Sequence, residues 1–128
     1  MNRGRILLIE PDTDYAGRCI VELQKSGHVV NHVSASRLFP RVFKQFKDDW
    51  SVIIIAPYLD EYSFCTDQIV KQIKEDKRVS SRAKILANAS TTEHNRMLME
   101  AGCTICSTGG RFHSWALPKV IEGVVRFT

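Results

Sequence analysis

Residues 50–56 have the sequence WSVIIIA, in which Val52 to Ile55 form an unbroken β-branched apolar run. A strand with one face in water alternates apolar and polar residues, whereas this run has no polar position to turn toward solvent. Strands that are buried on both faces occur in parallel sheets with helices packed on each side. The run therefore predicts an α/β protein whose centre is a parallel sheet.

Other short apolar runs alternate with amphipathic stretches along the chain, without an internal repeat or a linker between them. The predicted strands are RILLIE (5–10), HVVNHVS (28–34), SVIIIA (51–56), AKILANA (83–89) and CTICS (103–107). Because a helical pattern follows each of these five strands, the chain is predicted to fold as (βα)5. The predicted fold class is a single doubly wound five-stranded parallel sheet in a flavodoxin-like, three-layer α/β/α arrangement.

Capping residues, prolines and glycines predict where the helices begin and end. The first two helices are predicted to run from Asp12 to Gly27 and from Ser36 onward, with Pro40 in the first turn of the second. The third is predicted from the spacing of Phe64, Ile69, Val70 and Ile73. The fourth is predicted to begin at the capping box STTE (90–93) and to end at Gly102, and the last to span Trp115 to Val125, interrupted early by Pro118.

The length of 128 residues suits one domain, residues 1–128, with a single core. No apolar run approaches the length of a signal-peptide core or a membrane span, which predicts a cytoplasmic protein. The four cysteines are then expected to be free thiols, since disulfides are rare in that compartment. The net charge of +4 only mildly favours anionic partners.

In a doubly wound sheet the functional crevice lies at the carboxyl ends of the strands. The loops that reach this edge are EPD (10–12), APYLD (56–60), NAS (88–90) and STGGR (107–111). With these loops in this order, the chain resembles the receiver domain of bacterial two-component response regulators over essentially its whole length. The spacing of the segments carries the resemblance more than identity does.

In that family two acidic residues at the end of the first strand hold a magnesium ion, and an aspartate that ends the third strand accepts phosphate. A Ser or Thr ends the fourth strand, a lysine ends the fifth, and an aromatic residue on the fifth strand completes the switch. The corresponding positions in this chain are Glu10, Pro11 with Asp12 directly after it, Ala56, Asn88, Gly109 or Gly110, and Cys106.

These departures change what the resemblance implies. The methyl group of Ala56 cannot attack a phosphoryl donor, and Asp60 and Glu61 lie several residues beyond the strand end. The resemblance therefore implies a phosphorylation-independent pseudo-receiver domain that acts as a protein-interaction module in bacterial signal transduction or transcription regulation. Such a domain is not expected to be an enzyme or to use a cofactor or a metal.

The resemblance also implies a partner surface, formed by the fourth helix, the fifth strand and the fifth helix. A protein partner, a fused effector domain or a second copy of the domain would bind there, and the exposed residues expected on it are His94, Arg96, Arg111 and Lys119. No membrane or nucleic-acid contact is expected. A solvated face, or a phosphate-rich partner, would explain the positive charge of Lys71, Lys74, Lys77, Arg78, Arg82 and Lys84.

A small-anion or nucleotide sensor is the alternative function. A glycine loop before a helix can present backbone N–H groups to an anion, and the side chain of Arg111 would add positive charge. The residues expected at such a site are Asn88, Ser107, Thr108, Gly109, Gly110 and Arg111. A simple tight turn is the other interpretation of the same loop.

The pair Cys103-x-x-Cys106 is predicted to be two core thiols. Residues three apart on a strand point to opposite faces, and a zinc site would need two further ligands. The histidines at positions 28, 32, 94 and 113 form no catalytic or metal-binding pattern and are expected at the surface or in packing roles.

Overall fold

The computed structural model describes residues 4–127 and consists of alternating strands and helices. In chain order the elements are β1 (Arg5–Ile9), α1 (Thr13–Lys25), β2 (Val29–Val33), α2 (Phe39–Gln45), β3 (Trp50–Ile55), β4 (Tyr58–Leu59), β5 (Phe64–Cys65), α3 (Asp67–Glu75), α4 (Lys77–Ser80), β6 (Lys84–Ala87), α5 (Thr92–Ala101), β7 (Ile105–Cys106) and α6 (Leu117–Phe127). Short 3-10 turns, Ser36–Leu38 and Ser114–Ala116, precede α2 and α6.

Five parallel strands form the central sheet in the order β2-β1-β3-β6-β7, which confirms the predicted fold class. In the register of the sheet, Ile55 at the end of β3 lies between Ile9 of β1 and Ala87 of β6. The carboxyl ends of these three strands therefore meet at one edge. The residues that follow each strand begin the loops of the predicted functional crevice.

Strand β3 is buried on both faces, as its sequence predicts. Ile53 and Ile55 belong to the core on the side of α2, α3 and α5, whereas Val52 and Ile54 belong to the core on the side of α1 and α6. All four side chains are at most 1% exposed. The β-branched run thus supplies both layers of the core from one strand.

Two predicted features of the second and third helices are wrong. Ser36 does not cap a helix: it begins a 3-10 turn, and its hydroxyl and amide both donate to the Asp60 carboxylate. Phe64 does not lie in the third helix but in a two-stranded hairpin formed by β4 and β5. The helix begins later, at Asp67, because Thr66 turns the chain and its hydroxyl bonds to the Ala56 carbonyl.

The fourth predicted helix, α5, begins one residue later than the capping box suggests. Thr91 is the N-cap, with extended backbone angles, and its hydroxyl accepts a hydrogen bond of 3.2 Å from the His94 amide. Two residues before Thr91, the Ala89 amide donates to the Asn95 side chain at 3.2 Å, which fastens the incoming loop to α5. Gly102 ends the helix at φ 128°, which confirms the predicted stop.

The last strand and helix also differ from their predicted bounds. Only Ile105 and Cys106 of the run CTICS pair with β6, at the edge of the sheet. Pro118 does not interrupt the last helix but occupies the first turn of α6, where its missing N–H has no helical partner to lose.

Candidate functional site

A crevice of about 590 Å³ lies at the carboxyl ends of the strands. The loops after β1, β2, β3 and β6 surround it, together with the loop that precedes α6. Its lining residues are Glu10, Pro11, Asp12, Ser34, Ala35, Ala56, Pro57, Tyr58, Asp60, Glu61, Tyr62, Asn88, Ser90 and Arg111. This is the edge where the strand order reverses, at β1 and β3, and where doubly wound folds place their ligands.

Glu10 follows β1 and is only 3% exposed. One oxygen of its carboxylate accepts a hydrogen bond of 3.1 Å from the Asp12 amide. Burial raises the pKa of Glu10 from 4.5 to about 7, although this hydrogen bond and the charge of Arg111 oppose the shift. The carboxyl is therefore poorly suited to remain charged without a nearby cation.

Asp12 has two roles at the start of α1. One carboxylate oxygen caps the helix by accepting from the Tyr15 amide at 3.1 Å, and the other lies 3.1 Å from the Arg111 guanidinium. The hydrogen bond from the Tyr15 amide, and then that from Arg111, hold the pKa of Asp12 below its usual value. Both oxygens of this side chain thus have partners within the protein.

The end of β3 carries no nucleophile. Ala56 is 3% exposed, its amide donates to the Ile9 carbonyl at 2.9 Å, and its carbonyl accepts from the Thr66 hydroxyl. The carboxylate of Asp60, farther along the loop, is instead bonded to Ser36. Among residues 4–127, no carboxylate lies at this strand end, where the resemblance to receiver domains led us to look for an aspartate.

Asn88, which directly follows β6, is fully buried, and both the nitrogen and the oxygen of its side-chain amide have hydrogen-bond partners. Its side-chain nitrogen donates to the Tyr15 hydroxyl at 2.8 Å, and its oxygen accepts from the Phe112 amide at 2.9 Å. The Tyr15 hydroxyl in turn donates to the Phe112 carbonyl at 2.5 Å. This closed network, which we call the Asn88 network, joins α1, β6 and the loop before α6.

Sequence reasoning did not find Tyr15 and Phe112, the partners of Asn88. The available signal was the position of Tyr15 in the first turn of the first helix, directly after the EPD loop. A side chain there faces the crevice edge of the sheet. Phe112 contributes only its backbone groups, which no sequence motif can reveal.

The residues proposed for anion binding do not form one site. Ser107 is 3% exposed, and its hydroxyl donates to the Ala89 carbonyl and accepts from Asn95, at 3.1 and 3.0 Å. Residues 107–110 line a separate groove of about 420 Å³ beside α5. Arg111 instead lines the crevice. The predicted cluster is therefore divided between two places.

The residues proposed for a partner face are also dispersed. His94 is half-buried, with its ring nitrogen 3.2 Å from the Tyr58 hydroxyl, whereas Arg96 is exposed beside the groove of residues 107–110. Arg111 is turned into the crevice, and Lys119 lines a different groove with Trp115, between α1 and α6. Of the four, Arg96 is the exposed side chain that remains on the expected face.

The cysteine pair and the basic residues near α3 and α4 have packing or ion-pair roles in the structure. Cys103 packs in the core and burial raises its pKa to about 12, while Cys106 is half-buried, and both thiols are free. Within residues 4–127 no three His, Cys, Asp or Glu side chains are arranged to hold a metal. Of the basic residues near α3 and α4, Lys71 pairs with Asp67 at 3.7 Å and Arg78 with Asp48 at 2.7 Å, which accounts for part of the positive charge there.

The sheet order and the position of the crevice are those of the flavodoxin-like fold, which this chain shares with solved response regulator receiver domains. No protein-family model matches the chain, and no curated protein matches it by sequence. No helix in the described part of the chain is long and apolar enough to cross a membrane.

Solved structures of response regulators match nearly the full length of the chain. HP1043, an orphan response regulator of H. pylori, is 19% identical with a TM-score of 0.73 and 98% of each chain covered. An atypical orphan response regulator with a phosphorylation-independent regulatory mechanism is 21% identical, with a TM-score of 0.71 and 97% of each chain covered. The chemotaxis response regulator CheY4 of Vibrio cholerae is 19% identical, with a TM-score of 0.77 and 94% of this chain and 98% of its own covered.

Proposed function

We propose that this chain is a phosphorylation-independent receiver domain that acts as a protein-interaction module in bacterial signal transduction or transcription regulation. The observation that carries the proposal is Ala56, which lies buried at the end of β3, where a phosphate-accepting receiver needs a nucleophile. Because a methyl group can neither accept nor transfer phosphate, the domain is not an enzyme of phosphotransfer. Its signal must depend on binding.

Hydrogen bonds between the loops around the crevice support this function. The Asn88 network ties α1 and β6 to the loop before α6, and the contact between Tyr58 and His94 ties the β4–β5 hairpin to α5. In a phosphorylated receiver, phosphate makes contacts that favour one of two states. In this protein internal hydrogen bonds hold the corresponding loops. The partner surface therefore forms without phosphorylation or ligand binding at the crevice.

The partner surface we propose is the face of α5 and β7 with the adjoining loop. Arg96 and Met99 are exposed on α5, Met99 at 36%, and Thr108 and Gly109 are exposed in the loop. These residues surround the groove of about 420 Å³. The partner is a separate protein, a fused effector domain or a second copy that binds through the same face.

The alternative of an anion or nucleotide sensor has less support. The carboxylates that line the crevice are those of Glu10, Asp12, Asp60 and Glu61, and only Arg111 among the lining residues carries positive charge. An anion entering this crevice would meet mostly carboxylates. The amide of Asn88, which was expected to contact the ligand, is already bonded on both sides.

Incubation with acetyl phosphate and magnesium, followed by intact-mass measurement, tests the absence of phosphate acceptance. We expect no added phosphoryl group. A receiver domain that has its aspartate serves as the positive control under the same conditions. A stable adduct of one phosphate on this protein would contradict the proposal.

A pull-down from the native host tests the interaction itself. We expect Arg96→Glu to reduce capture of the partner and the matched control Lys119→Glu, on the α1–α6 groove, to leave it unchanged. Beryllofluoride, a phosphoryl mimic that needs the strand-end aspartate, should have no effect. Capture that depends on beryllofluoride would restore the conventional switch, and equal losses in both variants would place the partner elsewhere.

A further inference from the structure

The crevice does not fit the magnesium ion that receiver domains hold. Magnesium requires oxygen ligands in near-octahedral geometry. Pro11 and Ala56 supply no side-chain oxygen, and both carboxylate oxygens of Asp12 are bonded within the protein. Glu10 is left as one carboxyl, itself bonded to the Asp12 amide. These residues do not make a magnesium site.

The guanidinium of Arg111 lies instead between the carboxylates of Glu10 and Asp12. One guanidinium nitrogen of Arg111 lies 3.1 Å from Asp12 and 4.0 Å from Glu10. The centre of the guanidinium is also 4.0 Å from the centre of the Tyr15 ring, so the cation faces the ring's negative surface. The side chain is 33% exposed.

The two glycines before Arg111 allow the backbone to turn so that the Arg111 side chain reaches the crevice. Gly109 and Gly110 have φ values of 71° and 118°, in the region where a side chain would be strained. Space around both positions is open, so their requirement is conformational rather than steric. The motif STGGR is thus explained as a turn that directs Arg111 toward the start of α1.

We infer that Arg111 is an internal cation of the crevice, which takes the place of a bound metal and holds the loop before α6 against Asp12 and Glu10. The inference concerns the crevice alone and does not depend on a protein partner or on the proposed function. It predicts that a divalent cation does not stabilise the folded protein at this site. It also predicts that removal of the Arg111 side chain leaves the carboxylates of Glu10 and Asp12 without a counterion.

Thermal unfolding of variants, with and without millimolar magnesium chloride at about pH 8, tests the inference. We expect the melting temperature of the unaltered protein to be the same in both buffers. Arg111→Ala should melt roughly 3–6 °C lower at low ionic strength and recover part of that loss with magnesium. Arg111→Lys, which keeps a cation, should lose less and show no recovery with magnesium.

Arg18→Ala is the matched control, because the Arg18 guanidinium lies over the same Tyr15 ring at the longer distance of 6.0 Å. It should melt close to the unaltered protein and not respond to magnesium. An Arg111→Ala protein as stable as this control would overturn the inference. So would an equal magnesium response in Arg111→Ala and in the unaltered protein.

A double-mutant cycle with Asp12→Asn separates the ion pair from general loop damage. Asparagine caps a helix about as well as aspartate, so Asp12→Asn keeps the α1 cap and removes the charge. We expect Arg111→Ala to lower the melting temperature by less in the Asp12→Asn background than in the unaltered protein. Equal losses in both backgrounds would show that the two side chains are not coupled, and would also overturn the inference.

Discussion

The side-chain amide of Asn88 donates a hydrogen bond of 2.8 Å to the hydroxyl of Tyr15, which lies 73 positions earlier in the chain. Both groups are buried, and both also bond to the backbone of Phe112. The resemblance to receiver domains predicts that the position of Asn88 corresponds to their Ser or Thr, the hydroxyl residue that couples phosphorylation to the partner surface. In this protein the same position belongs to a closed polar network.

Removing Asn88 should therefore destabilise the whole domain. Asn88→Ala leaves the half-buried Phe112 amide without its acceptor and removes a donor to Tyr15, and we expect a loss of about 2–4 kcal/mol in the free energy of unfolding. Urea denaturation measures it. Ser81→Ala, which removes an exposed hydroxyl, is the control and should change stability little. A loss at Asn88 no larger than at Ser81 would mean that the network does not hold the loops.

Ile54→Ala tests the double-faced burial of β3. Ile54 is 1% exposed, and loss of its side chain should lower the free energy of unfolding by roughly 2–5 kcal/mol through lost burial and a cavity. Val21→Ala, on the exposed surface of α1 at 51%, should cost less than about 0.5 kcal/mol. Denaturant unfolding compares the two. A change under about 1 kcal/mol at Ile54 would be inconsistent with a central strand.

Glu10 should make stability depend on pH. Its pKa is raised from 4.5 to about 7 in the folded protein, chiefly by burial, so the folded state holds a proton that the unfolded state has released between these values. The associated stability is fully present below about pH 4.5 and is lost as pH rises through about 7. We expect a decrease on the order of 2–3 kcal/mol from this residue.

Denaturant unfolding as a function of pH measures that decrease. Glu10→Gln, which does not titrate, should have a flatter profile over this pH range than the unaltered protein. Glu61→Gln is the control, because Glu61 is exposed, and its profile should match that of the unaltered protein. Identical profiles for all three proteins would show that Glu10 keeps an ordinary pKa.

The start of α5 offers a comparison of two neighbouring residues. Thr91→Ala removes the hydroxyl that accepts from the His94 amide, and we expect a loss of about 1 kcal/mol. Ser90→Ala, at the residue that the sequence pattern favoured as the cap, should cost much less. Thermal or urea unfolding of both variants decides between them, and a larger loss at Ser90 would support the capping box as first predicted.

The helices and strands of the central sheet follow from local patterns. The apolar run of β3, the start of the first helix near Asp12 and the stop at Gly102 were all predicted, because each depends on a few neighbouring residues. The β4–β5 hairpin was not. Its turn has left-handed backbone at Asp60, Glu61 and Tyr62, which none of these residue types favours strongly, and the Asp60 carboxylate is bonded to Ser36 from another loop.

The same division holds at the crevice. The sequence by itself determined that Ala56, which carries no nucleophile, directly follows β3, because the strand and its end are local features. Only the tertiary structure decided that Arg111 lies 3.1 Å from Asp12 and that Asn88 bonds to Tyr15. The register of the parallel strands and the packing of α1 and α6 set these contacts. Such contacts join residues far apart in the chain, and no local spacing specifies them.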